Sequence, residues 1–350
     1  MNPGALTRRL EREAEEAGFA KFGVARANRL EPEAAQLDAW LAAKRHGQMA
    51  WMARTSAVRA DPRHPDMLAE ADSIVVLAAP YHRTLDEGLV APGRVAKYAV
   101  GRDYHNVLTK KARRLQRILA SEGYLARVAV DSKPVFERAW AERAGVGFVG
   151  KNCCLIVPGI GSHVFLVCIV TTARLEPSEP VERKCGACTL CLDACPTAAF
   201  EEARMLDARK CISYLTIEHR GPIPEEHRTA VGPWVFGCDV CQDVCPYNQG
   251  SVPRHPLPAF EPGAHWNGID AAGIVEMDEQ AFSTFSQGSP LKRATREGLA
   301  RNSSLVLGNR GDRRHLPVLR HAAAHHDSSV VREAAAWAAD RITRRLADSG

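Results

Sequence analysis

The chain has 350 residues, a formal net charge of +5, and a composition that is 45% apolar and 25% charged. These values exclude a disordered or fibrous chain and are typical of a soluble globular protein of two or three domains. The longest apolar runs, residues 73–80 and 163–170, are too short to cross a bilayer, so we expect no contact with a membrane. The acidic segment that follows Arg8 and Arg9 does not resemble a signal peptide, and we expect a cytoplasmic protein.

The first half of the chain alternates segments with helical and strand-like patterns. Apolar residues at helical spacing predict helices at 4–17, 31–45, 104–122 and 136–145. Shorter apolar runs predict strands at 18–27, 73–80, 125–130, 153–158 and 163–172. The unbroken apolar run of 73–80 indicates a strand that is buried on both faces. This alternation is typical of an α/β or α+β domain, and we predict the α+β class for residues 1–175.

The second half is divided by proline-rich segments into two further predicted domains. A cysteine-rich domain is expected at 176–255, and prolines from Pro253 to Pro262 mark the next connection. Residues 256–350 are helical in pattern, and residues 301–308 align with 332–339 at a period of 31. Small residues beside an arginine at this period resemble HEAT-type helical repeats.

Eight of the eleven cysteines stand in a spacing used by bacterial ferredoxins to hold 4Fe–4S clusters. One run reads C-x2-C-x2-C-x3-C-P and comprises Cys185, Cys188, Cys191 and Cys195. In such a run the fourth cysteine serves a second cluster, so a second set of cysteines is required. That second set is Cys238, Cys241 and Cys245, which have the same x2 and x3 gaps and the same trailing proline.

The second run lacks its first cysteine, and Cys211 is the natural substitute across the insertion 212–237. We therefore assign one cluster to Cys185, Cys188, Cys191 and Cys245, and the other to Cys195, Cys211, Cys238 and Cys241. A structural zinc site is the alternative, because paired C-x2-C elements also bind zinc. Cysteines used in this way indicate a reducing compartment. The remaining Cys153, Cys154 and Cys168 lie in apolar strand-like sequence and are predicted to be buried structural thiols.

Positive charge is concentrated in two segments of the chain. Residues 292–345 carry twelve Lys or Arg side chains against five Asp or Glu, and residues 101–120 carry six against one. Two basic surfaces on an otherwise balanced protein indicate a polyanionic partner, most simply a nucleic acid. The alternative for either segment alone is a solvated, arginine-rich helix face.

The order and spacing of several motifs resemble those of the epoxyqueuosine reductases, cobalamin-dependent iron–sulfur enzymes of queuosine biosynthesis in tRNA. The matching segments are Y-A-V-G-R-D-Y-H (98–105), V-D-S-K-P (130–134), G-F-V-G-K-N (147–152), the cysteine run 185–197, C-I-S-Y-L-T-I-E (211–218) and G-C-D-V-C-Q-D-V-C-P-Y-N (237–248). The resemblance covers nearly the full chain and includes the displaced Cys211, which a generic ferredoxin lacks. It implies a nitroreductase-like cobalamin-binding domain, a ferredoxin-like domain with two clusters, and HEAT-like repeats that grip tRNA.

The resemblance also implies roles for individual residues of this sequence. The aspartate of V-D-S-x-P, Asp131, is the proton donor to the departing oxygen and lies at the cofactor. Because it ends a strand that should be mostly buried, we expect desolvation to raise its pKa and keep it protonated near neutral pH. A turn or helix-cap aspartate is the alternative for this residue.

The other predicted site residues fall into two groups. The predicted cofactor contacts are Arg54, Lys151, Leu155 and Ser213. The predicted contacts to substrate or tRNA are Tyr98, Arg102, Tyr104, His105, Arg220, Arg313 and Arg314. For Tyr98, Tyr104 and His105 the alternative is a purely structural role. For Arg54 the alternative is an ordinary surface arginine.

Three functions remain open on the sequence. The first is a monomeric reductase that takes electrons from a low-potential donor and acts on epoxyqueuosine in the anticodon region of tRNA. The second is a corrinoid reductive dehalogenase of a small substrate, and the third is a ferredoxin-type electron carrier. A dehalogenase has no use for a basic helical-repeat tail, and a plain ferredoxin needs no domain of 175 residues in front of its clusters.

Overall fold

The computed structural model describes residues 2–83, 89–249 and 257–348. Its strands are Lys21–Arg26 (β1), Ser73–Pro80 (β2), Arg94–Val95 (β3), Ala126–Ala129 (β4), Phe148–Val149 (β5), Leu155–Ile156 (β6), Val164–Thr171 (β7), Phe200–Glu202 (β8), Met205–Leu206 (β9) and Trp234–Phe236 (β10). Its α-helices are Pro3–Glu16 (α1), Glu31–Ala42 (α2), Ala50–Arg54 (α3), Ser56–Ala60 (α4), Tyr104–Ser121 (α5), Glu137–Arg143 (α6), Leu190–Asp193 (α7), Ile212–Ile217 (α8), Glu225–Arg228 (α9), Val240–Asp243 (α10), Ala271–Glu276 (α11), Glu279–Phe285 (α12), Thr295–Arg310 (α13), Leu316–His325 (α14) and Ser329–Ala347 (α15). Short 3-10 helices lie at Lys97–Ala99, Pro246–Asn248, Pro258–Phe260, Ala264–Trp266, Pro290–Ala294 and Arg313–His315.

A four-stranded sheet in the order β1-β2-β7-β4 forms the centre of the first half of the chain, and all its pairs are antiparallel. Every residue of β2 is buried, as its apolar run predicts. Successive side chains of a strand point to opposite faces, so Val75 and Leu77 pack with α1 and α5, whereas Ile74 and Val76 pack with Trp140 of α6. The sheet therefore lies between two helical layers.

The predicted α+β class is confirmed, because the antiparallel sheet is packed against helices as expected. The predicted helix 104–122 is observed as α5, and it begins after Asp103, whose carboxylate accepts the backbone N–H of His105. The predicted strand 153–158 is reduced to the two residues of β6, which pair with β5 in a short hairpin. Cys153 has a φ of +64°, a left-handed conformation that interrupts an extended strand.

Residues from all three predicted domains share one hydrophobic cluster. Val95 of β3 lies beside Phe236 of β10 in a parallel pair, and both belong to a core that also contains Trp266 and Leu299. Loop residues from the first half of the chain thus pack against the cysteine-rich region and the C-terminal helices together. This packing fixes the cysteine-rich region against the sheet domain.

The C-terminal helices pack closely around α13. A Cβ atom on Gly308 would lie 2.8 Å from the Cα of Ala338, so α13 and α15 approach each other with almost no space between their backbones. Within the three described ranges, no helix combines the length and the apolar character needed to span a bilayer.

The two arginines that align in the sequence repeat make similar contacts. Arg301 is 1% exposed and donates to the carbonyls of Leu215, His219 and Gly221 at 2.7 to 2.9 Å. Arg332, at the equivalent position of α15, donates to the carbonyls of the preceding loop at 2.6 and 3.0 Å. Each arginine therefore ties its helix to a loop, and Arg301 ties α13 to the end of α8.

Candidate active site

Asp131 lies in a sharp turn at the end of β4. Its φ is +47°, and the N–H of Ser132 donates across it to the carbonyl of Val130. Aspartate tolerates this left-handed conformation better than most residues, and such strain is concentrated at functional sites. The turn leaves the Asp131 side chain 64% exposed, although the predicted position at the end of a buried strand implied that it would be buried. The carboxylate is therefore accessible at the edge of the sheet domain.

The first turn of α5 faces this carboxylate. Asp103 caps the helix and accepts a hydrogen bond from Nδ1 of His105 at 2.7 Å, in addition to the backbone N–H of His105. Nε2 of the same imidazole lies 3.3 Å from Oδ2 of Asp131, and the Tyr104 hydroxyl donates to that Oδ2 at 2.5 Å. The D-Y-H segment, predicted to contact the substrate, and the V-D-S segment, predicted to supply the proton donor, are thus in direct contact.

The proton distribution in this group differs from the prediction. Burial lowers the pKa of His105, but hydrogen bonds to Asp103 and Asp131 and their negative charges raise this pKa to about 9. Partial desolvation by the surrounding protein raises the pKa of Asp131, but hydrogen bonds from His105 and Tyr104 and the positive charges of His105 and Arg138 bring it below its ordinary value. The expectation of a protonated Asp131 is therefore wrong for this structure: at neutral pH, Asp131 is ionised and His105 carries the proton.

Tyr104 and Tyr98 form the aromatic side of the site. The Tyr104 ring stacks on His105, with 4.1 Å between ring centroids, and on Phe165 at 4.4 Å. Tyr98 meets the Tyr104 ring edge-on at 6.1 Å. Burial and the negative charge of Asp131 raise the pKa of both tyrosines, so both hydroxyls remain protonated donors. The stacking fixes His105 and Tyr104 in the orientation in which both reach Asp131.

A second group of polar side chains near Asp131 was not predicted from the sequence. The guanidinium of Arg59 lies over the Trp51 ring at 5.2 Å and donates to the carbonyl of Val135 at 3.1 Å. Burial and the charge of Asp131 raise the pKa of Glu137 to about 7. Within the part of the chain that the structure describes, neither Nε1 of Trp51 nor Oε1 of Glu137 has a hydrogen-bond partner, although both atoms are buried. Unpartnered buried polar atoms indicate a site for a ligand that carries its own donors and acceptors.

The structure brings Cys185, Cys188, Cys191 and Cys245 together. Burial and the neighbouring thiols of Cys245, Cys185 and Cys188 together raise the pKa of Cys191 to about 11. The N–H of Tyr247 is directed at the sulfur of Cys245. Cys188 is exposed, whereas Cys245 is 7% exposed. This group therefore has one side in solvent and one side in the protein.

The other four cysteines form a second, more buried group. Burial raises the pKa of Cys238 to about 12, and Cys211 and Cys195 add to the shift. Backbone N–H groups of Ser213 and Tyr214 are directed at the sulfur of Cys211, and the N–H of Ala199 lies 3.3 Å from the sulfur of Cys195. Backbone N–H groups around several thiols are the environment that cluster sulfurs require, and thus the donor set fits iron–sulfur ligation.

The loop of Cys153 and Cys154 connects the second cysteine group with Asp131. Cys154 is within hydrogen-bonding distance of Cys241, and Arg138 donates to the carbonyl of Cys153 while its charge acts on Asp131. The prediction of buried structural thiols holds for Cys168, which is in the sheet core, but not for these two residues. They lie in a half-buried loop because the left-handed Cys153 ends the extended backbone.

The predicted cofactor contacts have varied environments. The Lys151 amino group donates to the carbonyls of Gly186 and Cys188 at 2.8 and 2.9 Å, so it holds the first cysteine loop in this structure. The Leu155 side chain is 3% exposed in the sheet-domain core, which leaves only its backbone for such a contact. Ser213 is half-buried beside Cys211, and Arg54 is exposed at the end of α3.

The predicted tRNA contacts differ in whether their guanidinium groups already have partners within the protein. Arg220 donates to the carbonyls of Ile217 and Arg293 at 2.9 and 2.8 Å, so its guanidinium holds two loops together. Arg314 forms an ion pair with Asp312 at 2.8 Å, whereas Arg102 and Arg313 are exposed. Arg293, which was not predicted, makes a bidentate pair with Glu218 at 2.7 Å, and its charge reaches Asp131 and Tyr104.

Comparison with known proteins gives the same two regions. A family model described as "4Fe-4S double cluster binding domain" matches residues 184–248, and one described as "Epoxyqueuosine reductase QueG, DUF1730" matches residues 59–132. An epoxyqueuosine reductase of Gloeobacter violaceus is 43% identical over 305 residues, which cover 84% of this chain and 93% of that protein. The chain belongs to the epoxyqueuosine reductase family. The zinc alternative is therefore set aside in favour of iron–sulfur binding.

Solved structures of the family extend the likeness to the whole fold. A crystal structure of epoxyqueuosine reductase with an epoxyqueuosine-modified tRNA-Tyr stem loop superposes with a TM-score of 0.87 at 31% identity, covering 97% of this chain and 90% of that one. A Bacillus subtilis epoxyqueuosine reductase, solved with its catalytic aspartate loop swung out of the active site, has a TM-score of 0.86 at the same identity and the same coverage. The arrangement of sheet, cysteine-rich region and C-terminal helices is thus the family's own.

Proposed function

We propose that this chain reduces epoxyqueuosine to queuosine in tRNA, with electrons passing through two 4Fe–4S clusters to cobalamin and Asp131 as the proton donor. The observation that carries the proposal is an exposed carboxylate held by Tyr104 and His105 and linked through the 153–154 loop to the buried cysteine group. Opening an epoxide to an alkene consumes electrons and protons, and this site joins a path for each. Membership in the family supports the same substrate.

The two cysteine groups give electron flow a direction. The group with exposed Cys188 faces solvent, and the group of Cys195, Cys211, Cys238 and Cys241 lies next to the loop that leads to Asp131. Electrons from a low-potential donor would therefore enter a cluster held by the first group and leave from one held by the second. The backbone N–H groups around the second group would stabilise the more negative charge of a reduced cluster.

Cobalamin fits the polar atoms that surround Asp131. The corrin periphery carries amide groups that both donate and accept, which matches the unpartnered indole N–H of Trp51 and the unpartnered carboxyl oxygen of Glu137. Arg59, Trp51 and Glu137 would hold these amides, and Arg54, Ser213 and the Leu155 backbone remain proposed contacts. When bound, the cofactor supplies the strongly reducing centre, and the protein supplies orientation and proton delivery.

The protein's own step is the protonation of the departing oxygen. The Tyr104 hydroxyl and the His105 imidazole both bind Oδ2 of Asp131, and among the described residues no donor reaches Oδ1. Oδ1 is therefore the oxygen that is open to the substrate. Tyr98 and Tyr104 offer aromatic faces for the modified base, and Arg102 lies beside them on the surface.

We propose that tRNA binds across the two basic regions. On α5 the exposed cations are Lys110, Arg113, Arg114 and Arg117. Of these, Arg114 pairs with Glu13 of α1, whereas the half-buried Lys111 donates to the carbonyl of Ala17. In the C-terminal region Arg313 is exposed, and Arg220 and Arg314 contribute charge from their paired positions. Phosphate contacts of this kind supply affinity that decreases with salt.

The finer description of the architecture is part of the same proposal. The sheet domain, residues 1–175, is nitroreductase-like, residues 176–255 are ferredoxin-like, and residues 256–350 are HEAT-like repeats in which Arg301 and Arg332 occupy equivalent positions. The enzyme acts as a cytoplasmic monomer. Exposed Cys188 at the first cluster gives the electron donor its point of contact.

The proposal is tested by anaerobic incubation of the reconstituted protein with an epoxyqueuosine-containing tRNA stem loop, cobalamin and a low-potential reductant, followed by nucleoside analysis. Queuosine should form only when all components are present, and the protein should contain about eight irons per chain if both clusters assemble. A fully metallated sample that binds cobalamin and tRNA but forms no queuosine would contradict the proposed function.

A further inference from the structure

His105 is placed to do more than contact the substrate. Its two ring nitrogens bind two carboxylates, Asp103 at 2.7 Å through Nδ1 and Asp131 at 3.3 Å through Nε2. Asp103 is itself fixed as the cap of α5, because its Oδ1 also accepts the backbone N–H of His105 at 2.9 Å. The imidazole is clamped on one face by the Tyr104 ring at 4.1 Å. This arrangement orients one nitrogen at the cap and the other at Asp131.

An ionised Asp131 has no proton to donate, so a supply of protons is required next to it. We propose that His105 is the positioning residue that provides this proton, with Asp103 holding the imidazole in its cationic form and in register with Asp131. The inference rests on the proposed role of Asp131 in the reaction. It assigns the D-Y-H segment a function in proton delivery, in addition to its contact with the base.

The transfer balances in two steps. The Nε2–H bond of His105 breaks as an O–H bond forms on the Asp131 carboxylate, which leaves a neutral imidazole and an uncharged carboxyl group. The protonated carboxyl group then turns about its Cβ–Cγ bond, so that the new O–H faces the substrate. This O–H bond breaks as an O–H bond forms on the substrate oxygen, which restores the carboxylate. Asp103 stays ionised throughout, and solvent reprotonates the imidazole. The electrons come from the reductant that the family's reaction already consumes.

The charges around the pair favour a proton on His105 at rest. Several charged or titratable groups face His105 or Asp131 from the neighbouring elements. They are Asp103, which caps α5, Tyr104 of α5, Tyr98 of the Lys97–Ala99 helix, Arg59 of α4, Glu137 and Arg138 of α6, and Arg293 of the Pro290–Ala294 helix. The carboxylates of Asp103 and Asp131 outweigh burial and hold the pKa of His105 at about 9. The pair therefore remains loaded throughout the neutral range.

The test measures single-turnover queuosine formation by the reconstituted enzyme from pH 6 to 10. For the native chain the rate should stay level and fall above about pH 9, where His105 loses its proton. In His105→Asn the rate at pH 7 should fall about 100-fold, the usual scale of a lost general acid or base. It should also decrease steadily with pH across the neutral range. Added imidazole should restore part of the rate in His105→Asn and none in Asp131→Asn.

Asp103→Asn is the second variant, since asparagine caps a helix as well as aspartate and keeps the fold. It should move the falling limb of the profile to a pH well below 9. The matched control is His64→Asn, which removes a histidine that lies 3.8 Å from a carboxylate, that of Asp66, outside the site and should leave the profile unchanged. Iron content and thermal stability should stay at native values in all four variants, whereas a purely structural role for His105 would change them.

Two outcomes separate the inference from the proposed function. If His105→Asn and Asp103→Asn both keep the native rate and profile while Asp131→Asn is inactive, His105 does not supply the proton and the role of Asp131 stands. If Asp131→Asn is also fully active, the proton-donor role itself is wrong.

Discussion

The two cysteine groups and the Asp131 site manage charge in opposite ways. Around the cysteines, backbone N–H groups rather than charged side chains meet the sulfurs, and burial raises the pKa of Cys191 and Cys238. Around Asp131, ionised side chains alternate in sign through Asp103, His105 and Arg138. The first region suits the movement of electrons from a solvent-facing centre to an inner one, and the second suits the movement of protons at an exposed surface.

The 153–154 loop is where these two regions meet. Cys154 lies against Cys241 on one side, and the carbonyl of Cys153 accepts a hydrogen bond from Arg138 on the other. Arg138 in turn lowers the pKa of Asp131. A single short loop therefore holds the electron side and the proton side in register. The following substitutions separate the two sides.

The largest effect is expected from a substitution that removes a cluster ligand and leaves the Asp131 site unchanged. In Cys211→Ser, the group of Cys195, Cys238 and Cys241 loses one thiolate, so iron content should fall from about eight to about four per chain. Queuosine formation with an external reductant should be lost, while affinity for the tRNA stem loop stays native. Cys168→Ser, a thiol in the sheet core, is the control, and its iron content should not change. Full iron content in Cys211→Ser would remove Cys211 from the ligand set.

Asp131→Asn should have the opposite result, because it changes the proton-donor site and leaves the cysteine groups intact. The amide preserves size and the turn at φ +47° but cannot donate a proton, so turnover should fall by at least about 100-fold. Iron content and the rate of cluster reduction by dithionite should be unchanged, because the cysteine groups are not touched. A variant with slow cluster reduction and a native chemical step would reverse the division between the two regions.

The features that could be predicted from the sequence are the ones encoded locally. Cysteine spacing reports ligation directly, since Cys185 to Cys195 lie within one turn-rich segment, and apolar runs report buried strands such as β2. The contact between His105 and Asp131 was not predicted. No local pattern encodes it, because it depends on how α5 packs against the end of β4.

Neither the exposure of Asp131 nor the polar group around Trp51 could be predicted from a local sequence pattern. Asp131 was expected to be buried because it ends a strand that was predicted to be mostly buried. In the structure β4 is buried only at Ala129, and the left-handed turn leaves the Asp131 side chain 64% exposed. Trp51, Arg59 and Glu137 were not singled out because their unpartnered atoms arise only when α3, α4 and α6 pack together. The available signal was a tryptophan and an arginine, Trp51 and Arg59, within one short mixed apolar and cationic stretch of sequence.

A smaller effect, on stability rather than chemistry, is expected from Arg301→Met. Arg301 is 1% exposed and serves three carbonyls, of which Leu215 belongs to the helix that begins after Cys211. Leaving these carbonyls unpaired should cost about 3 kcal/mol and lower the thermal midpoint. Arg320→Met, an exposed residue of α14, is the control and should melt like the native chain. Equal midpoints for the two variants would show that Arg301 does not support α8.

The smallest effect is expected at the basic surface, which belongs neither to the cysteine groups nor to the Asp131 site. Arg313 is exposed, whereas Arg314 is held by Asp312 at 2.8 Å. If Arg313 binds a phosphate, Arg313→Ala should weaken stem-loop binding a few-fold and reduce the slope of log affinity against log salt by about one. Arg314→Ala should have a lesser effect, because part of its charge is already neutralised, and Arg12→Ala on α1 should have none. Turnover at saturating tRNA should be native in all three. Equal affinity and salt slope in Arg313→Ala and Arg12→Ala would move the tRNA surface away from the 313–315 turn and toward the exposed face of α5.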